Sequence, residues 1–119
     1  MILREAAESL FASHVMSHGF HVSFPAAQPP YDLVVDCGSQ LVRVQIKTSD
    51  LIVKNRYKFS LKRKYSQKEC DVVVLHPVGT ELFAILLPED FRDRLYFTLD
   101  VYKHRHLLNN YSRLCSQNS

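Results

Sequence analysis

The hydrophobic pattern along the chain predicts one helix followed by strands. Over residues 2–18 the apolar side chains recur at every third or fourth position, which is the period of an α-helix, and Gly19 stands where helices commonly end. Residues 20–24 and 57–62 instead alternate apolar and polar side chains, which is typical of strands with one buried face. The second of these strands carries lysines on its polar side.

Residues 31–48 form the most informative segment. Two apolar runs flank Gly38-Ser39, which predicts a β-hairpin. If these two residues make the turn, Asp32 lies directly across from Gln45. Side chains alternate along a strand, so Lys47 projects on the same side as Gln45. An acid, an amide and an ammonium group therefore meet on one face of an otherwise apolar hairpin.

The second half of the chain predicts more strands. Residues 49–56 have the composition of a loop, and the apolar run at residues 70–75 indicates a strand buried on both faces. Residues 82–87 predict another strand, and Pro88 begins a short helix. Beyond residue 100 the pattern is weak, and a helix over 101–114 is one interpretation. The order of elements predicts an α/β fold, with a mixed central sheet flanked by helices.

Composition places this chain among globular proteins. Its 119 residues, 46% hydrophobic and 23% charged, suit a single domain at 1–119, and no apolar run approaches the ~20 residues of a membrane span. The N-terminus lacks the pattern of a signal peptide. Cys37, Cys70 and Cys115 are far apart and form no CxxC pair, so we expect neither a disulfide nor a zinc site. A reducing, cytoplasmic location, without secretion or a membrane, is expected.

Positive charge is concentrated in the middle of the chain. Residues 43–68 hold nine basic residues and one acidic residue, a net charge of +8, whereas the remaining residues sum to −5. Such a field suits a polyanion, and a solvated basic face is the alternative. If the partner is DNA, we expect phosphate contacts from this segment, with tyrosines interleaved. The expected DNA-binding residues are Lys54, Arg56, Lys58, Lys62, Arg63, Lys64 and Tyr65.

The hairpin motif resembles that of a known nuclease superfamily. The segments Tyr31-Asp32-Leu33-Val34 and Val44-Gln45-Ile46-Lys47-Thr48, preceded by a helix that carries an acid, are similar to the PD-(D/E)XK motif. Gln45 stands where the second acid is usual, as in the group I intron-associated, or homing, endonuclease branch. The similarity extends over about residues 4–91 and includes Gly19 to Val22 and Cys70 to Val74. It implies a restriction-endonuclease-like core.

The resemblance implies a role for each matching residue. Asp32 would bind Mg²⁺ or Mn²⁺, together with Glu8 and the backbone carbonyl of Ile46, because these ions prefer oxygen ligands. Gln45 would supply an amide oxygen to the metal or to its water. Lys47 would orient the attacking water and offset charge on the phosphate. Because Gln45 carries no charge, one bound ion is favoured over two.

Structural alternatives remain open for these residues. Asp32 could cap the preceding loop, and Lys47 could extend from a strand end into solvent. Glu8 is preferred to Glu5 as the helix acid. At about 100° per residue, Glu8 falls about 20° from Val15 around the helix axis, at the edge of the side of the helix that faces the core.

The sequence thus predicts a Mg²⁺-dependent DNA endonuclease, a phosphodiester hydrolase of the homing type. A nuclease similar to Holliday junction resolvases and a non-catalytic DNA-binding module are the alternatives. One active site per domain and two cuts per double-strand break predict a homodimer or tetramer acting on double-stranded DNA. The core is expected at about residues 2–95. Segment 96–119 could supply the interface between subunits or pack on the core of its own subunit.

Overall fold

A computed structural model describes residues 3–27, 29–61 and 69–115 of the chain. The α-helices are α1 (Leu3–Ser17) and α2 (Pro88–Phe91), and two 3₁₀ helices span Arg105–Leu107 and Tyr111–Cys115. The strands are β1 (His21–Ser23), β2 (Leu33–Asp36), β3 (Leu41–Ser49), β4 (Ile52–Val53), β5 (Arg56–Ser60), β6 (Val72–Pro77), β7 (Ala84–Leu86) and β8 (Tyr96–Leu99). The predicted helix and hairpin are both present.

A five-stranded sheet forms the centre of the fold. Its order is β1-β2-β3-β6-β7, and all neighbouring strands are antiparallel except β3 and β6, which run parallel. The predicted mixed sheet is therefore confirmed. Every residue of β6 is buried, because this internal strand is covered on both of its faces. This agrees with the continuous apolar run that predicted it.

Helix α1 covers one face of the five-stranded sheet. Phe11 and Val15 are fully buried there and pack with Val42, Val44 and Ile46 of β3 in one apolar cluster. The alternation along β3 follows from this contact, because every second residue faces the helix and the residues between them face the other way. The polar residues of β3 therefore project to the side opposite α1.

A second, three-stranded sheet covers the other face. Its order is β4-β5-β8, and Phe59, Phe97 and Leu99 pack from it against residues of β6 and β7. The sequence did not predict β8, and it assigned β4 to a loop. The two-residue turn between β4 and β5 consists of Lys54 and Asn55, both with positive φ (53° and 64°). Paired positive φ values are those of the tight turn that best matches the twist of a hairpin.

The C-terminal segment does not form the α-helix that was one interpretation of its pattern. It consists of the two 3₁₀ helices, and Leu107, Tyr111 and Leu114 from them are buried in the clusters of the chain itself. Apolar residues do recur at helical spacing from Leu107 to Cys115, but Asn109 between the two 3₁₀ helices has a positive φ (52°) and hydrogen-bonds Phe83 through its backbone N–H and its side chain, which interrupts a continuous helix. In the part of the chain that the structure describes, no helix is long and apolar enough to cross a membrane.

A disulfide joins the hairpin turn to the C-terminal segment. Cys37 and Cys115 are bonded, with Cα atoms 5.7 Å apart, and Cys70 is a free, buried thiol. The prediction that the chain has no disulfide is wrong, and the argument for a reducing compartment loses this support. The two cysteines are separated by 78 residues. No local spacing signals their pairing, and packing on the first apolar cluster brings them together.

Candidate active site

The register of the β2–β3 hairpin is the one that the turn predicted. Val34 pairs with Arg43 and Val35 with Val42, so the numbers of each pair have the same sum as those of Asp32 and Gln45. The regular pairing ends at Leu33, and the backbone N–H of Asp32 donates to the carbonyl of Val44 at 2.8 Å, one position out of that register. Asp32 therefore lies beside β3 at the end of the paired region, next to the residues before Lys47.

The carboxylate of Asp32 is fixed to the backbone of β3. Its Oδ2 accepts a hydrogen bond from the N–H of Ile46 at 2.8 Å. Ile46 is anchored in turn, because its side chain is only 1% exposed in the cluster beneath α1. A hydrogen bond between a charged acceptor and an amide is stronger than a neutral one. The acid is therefore held beside residue 46 by the fold itself.

Gln45 and Lys47 lie on the face of β3 that points away from α1, and both are partly exposed. The amide nitrogen of Gln45 donates to the carbonyl of Ile46 at 3.5 Å, a long contact that turns the amide toward the same peptide. Asp32, Gln45 and the Ile46 carbonyl thus gather three oxygen-bearing groups around one residue. Asp32 and Lys47 both have further interaction partners as well.

Gln45 and Lys47 open into a groove of about 690 Å³ that is lined by the end of β3 and by β5 and β8. One part of its lining is continuous along the chain, from Gln45 through the end of β3 to Leu51. The other part comes from β5 and β8 and consists of Lys58, Phe59, Ser60, Tyr96, Phe97 and Thr98. The volume is within the range of about 300–1,000 Å³ that is usual for ligand sites.

An ion pair secures the strand next to Gln45. Asp71 accepts hydrogen bonds from the backbone N–H of Arg43 at 2.8 Å and from its guanidinium at 3.1 Å, through both carboxylate oxygens. The N–H of Asp71 donates back to the carbonyl of Arg43. The hydrogen bonds to Asp71 raise the pKa of Arg43. Asp71 thus ties the start of β6 to β3.

Glu8 lies on α1, which covers the face of the sheet opposite to Gln45 and Lys47. Its partial burial on α1 agrees with the predicted position at the edge of the buried arc. Its role as a metal ligand stays a prediction. Among the residues that the structure describes, no group of three or more His, Cys, Asp or Glu could hold a metal ion. The expected ligand set contains only two carboxylates, so this finding does not test it.

The predicted DNA-binding residues are only partly described. Lys54 lies at the tip of the β4–β5 hairpin, and Lys58 lines the groove together with Lys47. Arg56 is engaged within the chain, since its Nε lies 3.3 Å from a carboxylate oxygen of Asp100. The predicted residues Lys62, Arg63, Lys64 and Tyr65 lie outside the described part of the chain.

Sequence reasoning missed the residues of β8 that line the groove. Tyr96 and Thr98 alternate with the buried Phe97 and Leu99, which is the pattern of a strand with one buried face. That signal was present in the sequence. Tyr96 hides this signal, because an aromatic residue at the exposed position makes the segment resemble a continuous apolar run.

Comparison with known proteins places the fold and the motif in one family. A family model for the PD-(D/E)XK endonuclease family matches residues 3–109, nearly the whole chain. The chain belongs to this family. The PD-(D/E)XK resemblance of the hairpin is thereby confirmed, and Asp32, Gln45 and Lys47 fall within the matched region. Among curated proteins, no sequence gives a significant match.

Two solved structures show that this PD-(D/E)XK chain has a restriction-endonuclease-like fold. One is the bacterial homing endonuclease I-Ssp6803I, with a TM-score of 0.79 and 18% identity over 98% of this chain and 94% of that one. The other is Hjc, a Holliday junction resolvase from Archaeoglobus fulgidus, with a TM-score of 0.59 and 14% identity over 91% and 92% of the two chains. The mixed sheet and its order are thus those of nuclease folds.

Proposed function

We propose that this protein is a metal-dependent DNA endonuclease that hydrolyses phosphodiester bonds. The observation that carries the proposal is the β2–β3 hairpin, which holds Asp32 against Ile46 while Gln45 and Lys47 share one face of β3 at a groove. Membership of the PD-(D/E)XK family supports it, because the matched region contains the hairpin whose Asp32, Gln45 and Lys47 resemble the family motif. The groove and the basic residues near it supply a path for a charged strand.

The residues present fit a divalent cation of the Mg²⁺ type. Asp32 is held against residue 46, and the carbonyl of Ile46 and the amide of Gln45 meet there as well. All three groups offer oxygen, the ligand atom that Mg²⁺ and Mn²⁺ prefer. Glu8 would be a fourth contributor. A bound cation would lower the pKa of a water and stabilise charge on the phosphate.

Lys47 supplies a positive charge and hydrogen-bond donors, which the acids do not. Its ammonium group lies on the same face as Gln45, at the wall of the groove, where a phosphate next to Asp32 would pass. A positive charge at this point stabilises the negative charge that develops on the phosphate, and its N–H groups orient water. Gln45, which has no charge, leaves the neighbourhood less negative than two acids would. We therefore propose one tightly bound ion.

The proposal is tested by cleavage of duplex DNA. The protein is incubated with a randomised duplex library in Mg²⁺, in Mn²⁺ and in EDTA, and the new ends are sequenced. We expect cuts with either metal and none in EDTA. Lys47→Ala should abolish cleavage while DNA binding remains, and the exposed Lys103→Ala is the matched control. A parent protein that binds DNA but cuts nothing with either metal would contradict the enzyme and favour a non-catalytic binding module.

The type of nuclease is a further part of the proposal. The fold likeness to a homing endonuclease supports cutting at a specific duplex site. Because a double-strand break needs two cuts and each domain would supply one site, the proposed active form is a homodimer or tetramer. The likeness to a junction resolvase makes cutting of four-way junctions the second candidate. Competition between linear duplex and four-way junction in one reaction separates the two. Preference for the junction, without sequence-specific ends on the duplex, would reject the homing type.

A further inference from the structure

Strands β5 and β8 carry exposed polar and aromatic residues that line the groove. The pairs Lys58–Thr98 and Ser60–Tyr96 are neighbours across β5 and β8, and all four residues are exposed. The residues between them, Phe59 and Phe97, are buried. The alternation therefore gives this sheet one buried face and one face that is open to solvent.

The chemistry of these residues suits a nucleic-acid strand. Lys58 and the hydroxyl groups of Ser60 and Thr98 are of the kinds that contact phosphate oxygens. Tyr96, 70% exposed, presents an aromatic ring on which a base or sugar can pack. Lys47 lines the same groove, so one strand could contact both sets of residues.

We propose that this face, with Tyr96 at its centre, binds the DNA strand on which Lys47 acts. The inference rests on the proposed function, and it assigns the strand a second contact surface outside the PD-(D/E)XK motif. Tyr96 packs against the strand and sets its position relative to Asp32 and Lys47. It is a positioning residue and takes no part in the chemical step.

Fluorescence offers a direct test because the chain has no tryptophan. Tyr96→Trp gives a single reporter in the groove. Tyr102→Trp gives a matched reporter on the turn after β8, where Tyr102 is 83% exposed and does not line the groove. With saturating duplex we expect the emission of Tyr96→Trp to fall about twofold through contact with a sugar or a base edge, and that of Tyr102→Trp to stay unchanged. Inorganic polyphosphate, which has charge but no bases, should quench neither.

Kinetics provide the second measurement. Tyr96→Ala should raise the KM for duplex roughly tenfold, or about 1.4 kcal/mol, and leave kcat within about twofold, because the ring contacts the DNA equally before and during the chemical step. Tyr96→Phe should restore KM because it keeps the ring. Tyr102→Ala should resemble the parent. Thermal denaturation of each variant verifies that it is folded.

The outcomes separate this inference from the proposed function. Quenching of Tyr96→Trp by duplex, in a protein that cuts nothing, would support the binding face and reject the enzyme. Cleavage by the parent, with Tyr96 and Tyr102 variants alike in fluorescence and in KM, would overturn the binding face alone. Equal quenching by polyphosphate would also overturn it, because the aromatic contact would then be absent.

Discussion

Substitution of Asp32 separates its structural role from its chemical one. Its carboxylate accepts a hydrogen bond from the N–H of Ile46 at 2.8 Å, at a residue that is almost fully buried. Asp32→Asn keeps an oxygen at the same place and removes the charge. Asp32→Ala removes both, and the N–H of Ile46 is then left without this acceptor.

The two variants should therefore differ in stability. An amide hydrogen-bonding group that loses its partner in the interior costs about 1–3 kcal/mol. A neutral acceptor retains roughly half of the strength of a charged one. We expect Asp32→Ala to lose about 2 kcal/mol of unfolding free energy and Asp32→Asn about 1 kcal/mol or less. For a domain of this size, 1 kcal/mol corresponds to roughly 4 °C in Tm.

Both variants should nevertheless lose metal binding and cleavage equally. In the parent, Mg²⁺ at about ten times its Kd should raise the unfolding free energy by about 1.4 kcal/mol, because it binds the folded state. The measurement is urea denaturation with Mg²⁺ and with EDTA, alongside duplex cleavage. Neither variant should respond to Mg²⁺ or cut DNA, although Asp32→Asn is nearly as stable as the parent.

Asp36→Asn is the control on the same strand. Asp36 is exposed at the other end of the hairpin and accepts a hydrogen bond from the N–H of Gly38 at 2.8 Å, which asparagine preserves. It should keep full stability, metal response and cleavage. If Asp32→Asn retains metal-dependent stabilisation and cleavage, Asp32 is not the metal ligand. If Asp32→Ala is as stable as Asp32→Asn, the hydrogen bond to Ile46 is not important for stability.

Three further predictions concern the scaffold. Asp71→Ala should lower the unfolding free energy by about 1–3 kcal/mol in urea, because its hydrogen bonds to Arg43 are partly shielded from water; a loss below 0.5 kcal/mol (about the scatter of surface substitutions) would contradict this. Cys115→Ser should lower it by about 4–5 kcal/mol, the chain-entropy value for a loop of 78 residues, and reductant should destabilise the parent but not the variant. Burial and the charge of Lys103 lower the pKa of His104, whose Nδ1 accepts a hydrogen bond from the N–H of Asp100. Protonation of His104 therefore favours the unfolded chain, and stability should fall as the pH drops below about 6.5. His104→Gln should flatten that decline in a pH series of urea denaturations.

The part of the site that the sequence could predict is local. The turn at Gly38-Ser39 determines the register, and the register determines which residues face each other, so Asp32, Gln45 and Lys47 could be related without coordinates. The burial of β6 on both faces could be predicted as well, because its unbroken apolar run lies within a single strand. Each inference depends on neighbours within one strand or one hairpin.

The parts that could not be predicted depend on distant contacts. The bond between Cys37 and Cys115 forms because two remote segments pack on one cluster. Tyr96 is a groove residue only because β8 pairs with β5, a partner more than 30 positions away in the sequence. Arg56, predicted to be available for phosphate, is held by Asp100, a residue that no spacing rule connects to it.

The turn at Gly38 also constrains how this gene can change its length. One extra residue before Gly38, with the turn kept at Gly38-Ser39, would shift β2 by a single step against β3, so that Asp32 enters the apolar interior and Leu33 leaves it. Two extra residues on that side would restore the alternation but move Asp32 opposite Lys47, about 7 Å along the strand. Insertions on one side of this remote corner should thus abolish catalysis whatever residues they add, whereas one residue added on each side would only lengthen the hairpin and keep its register.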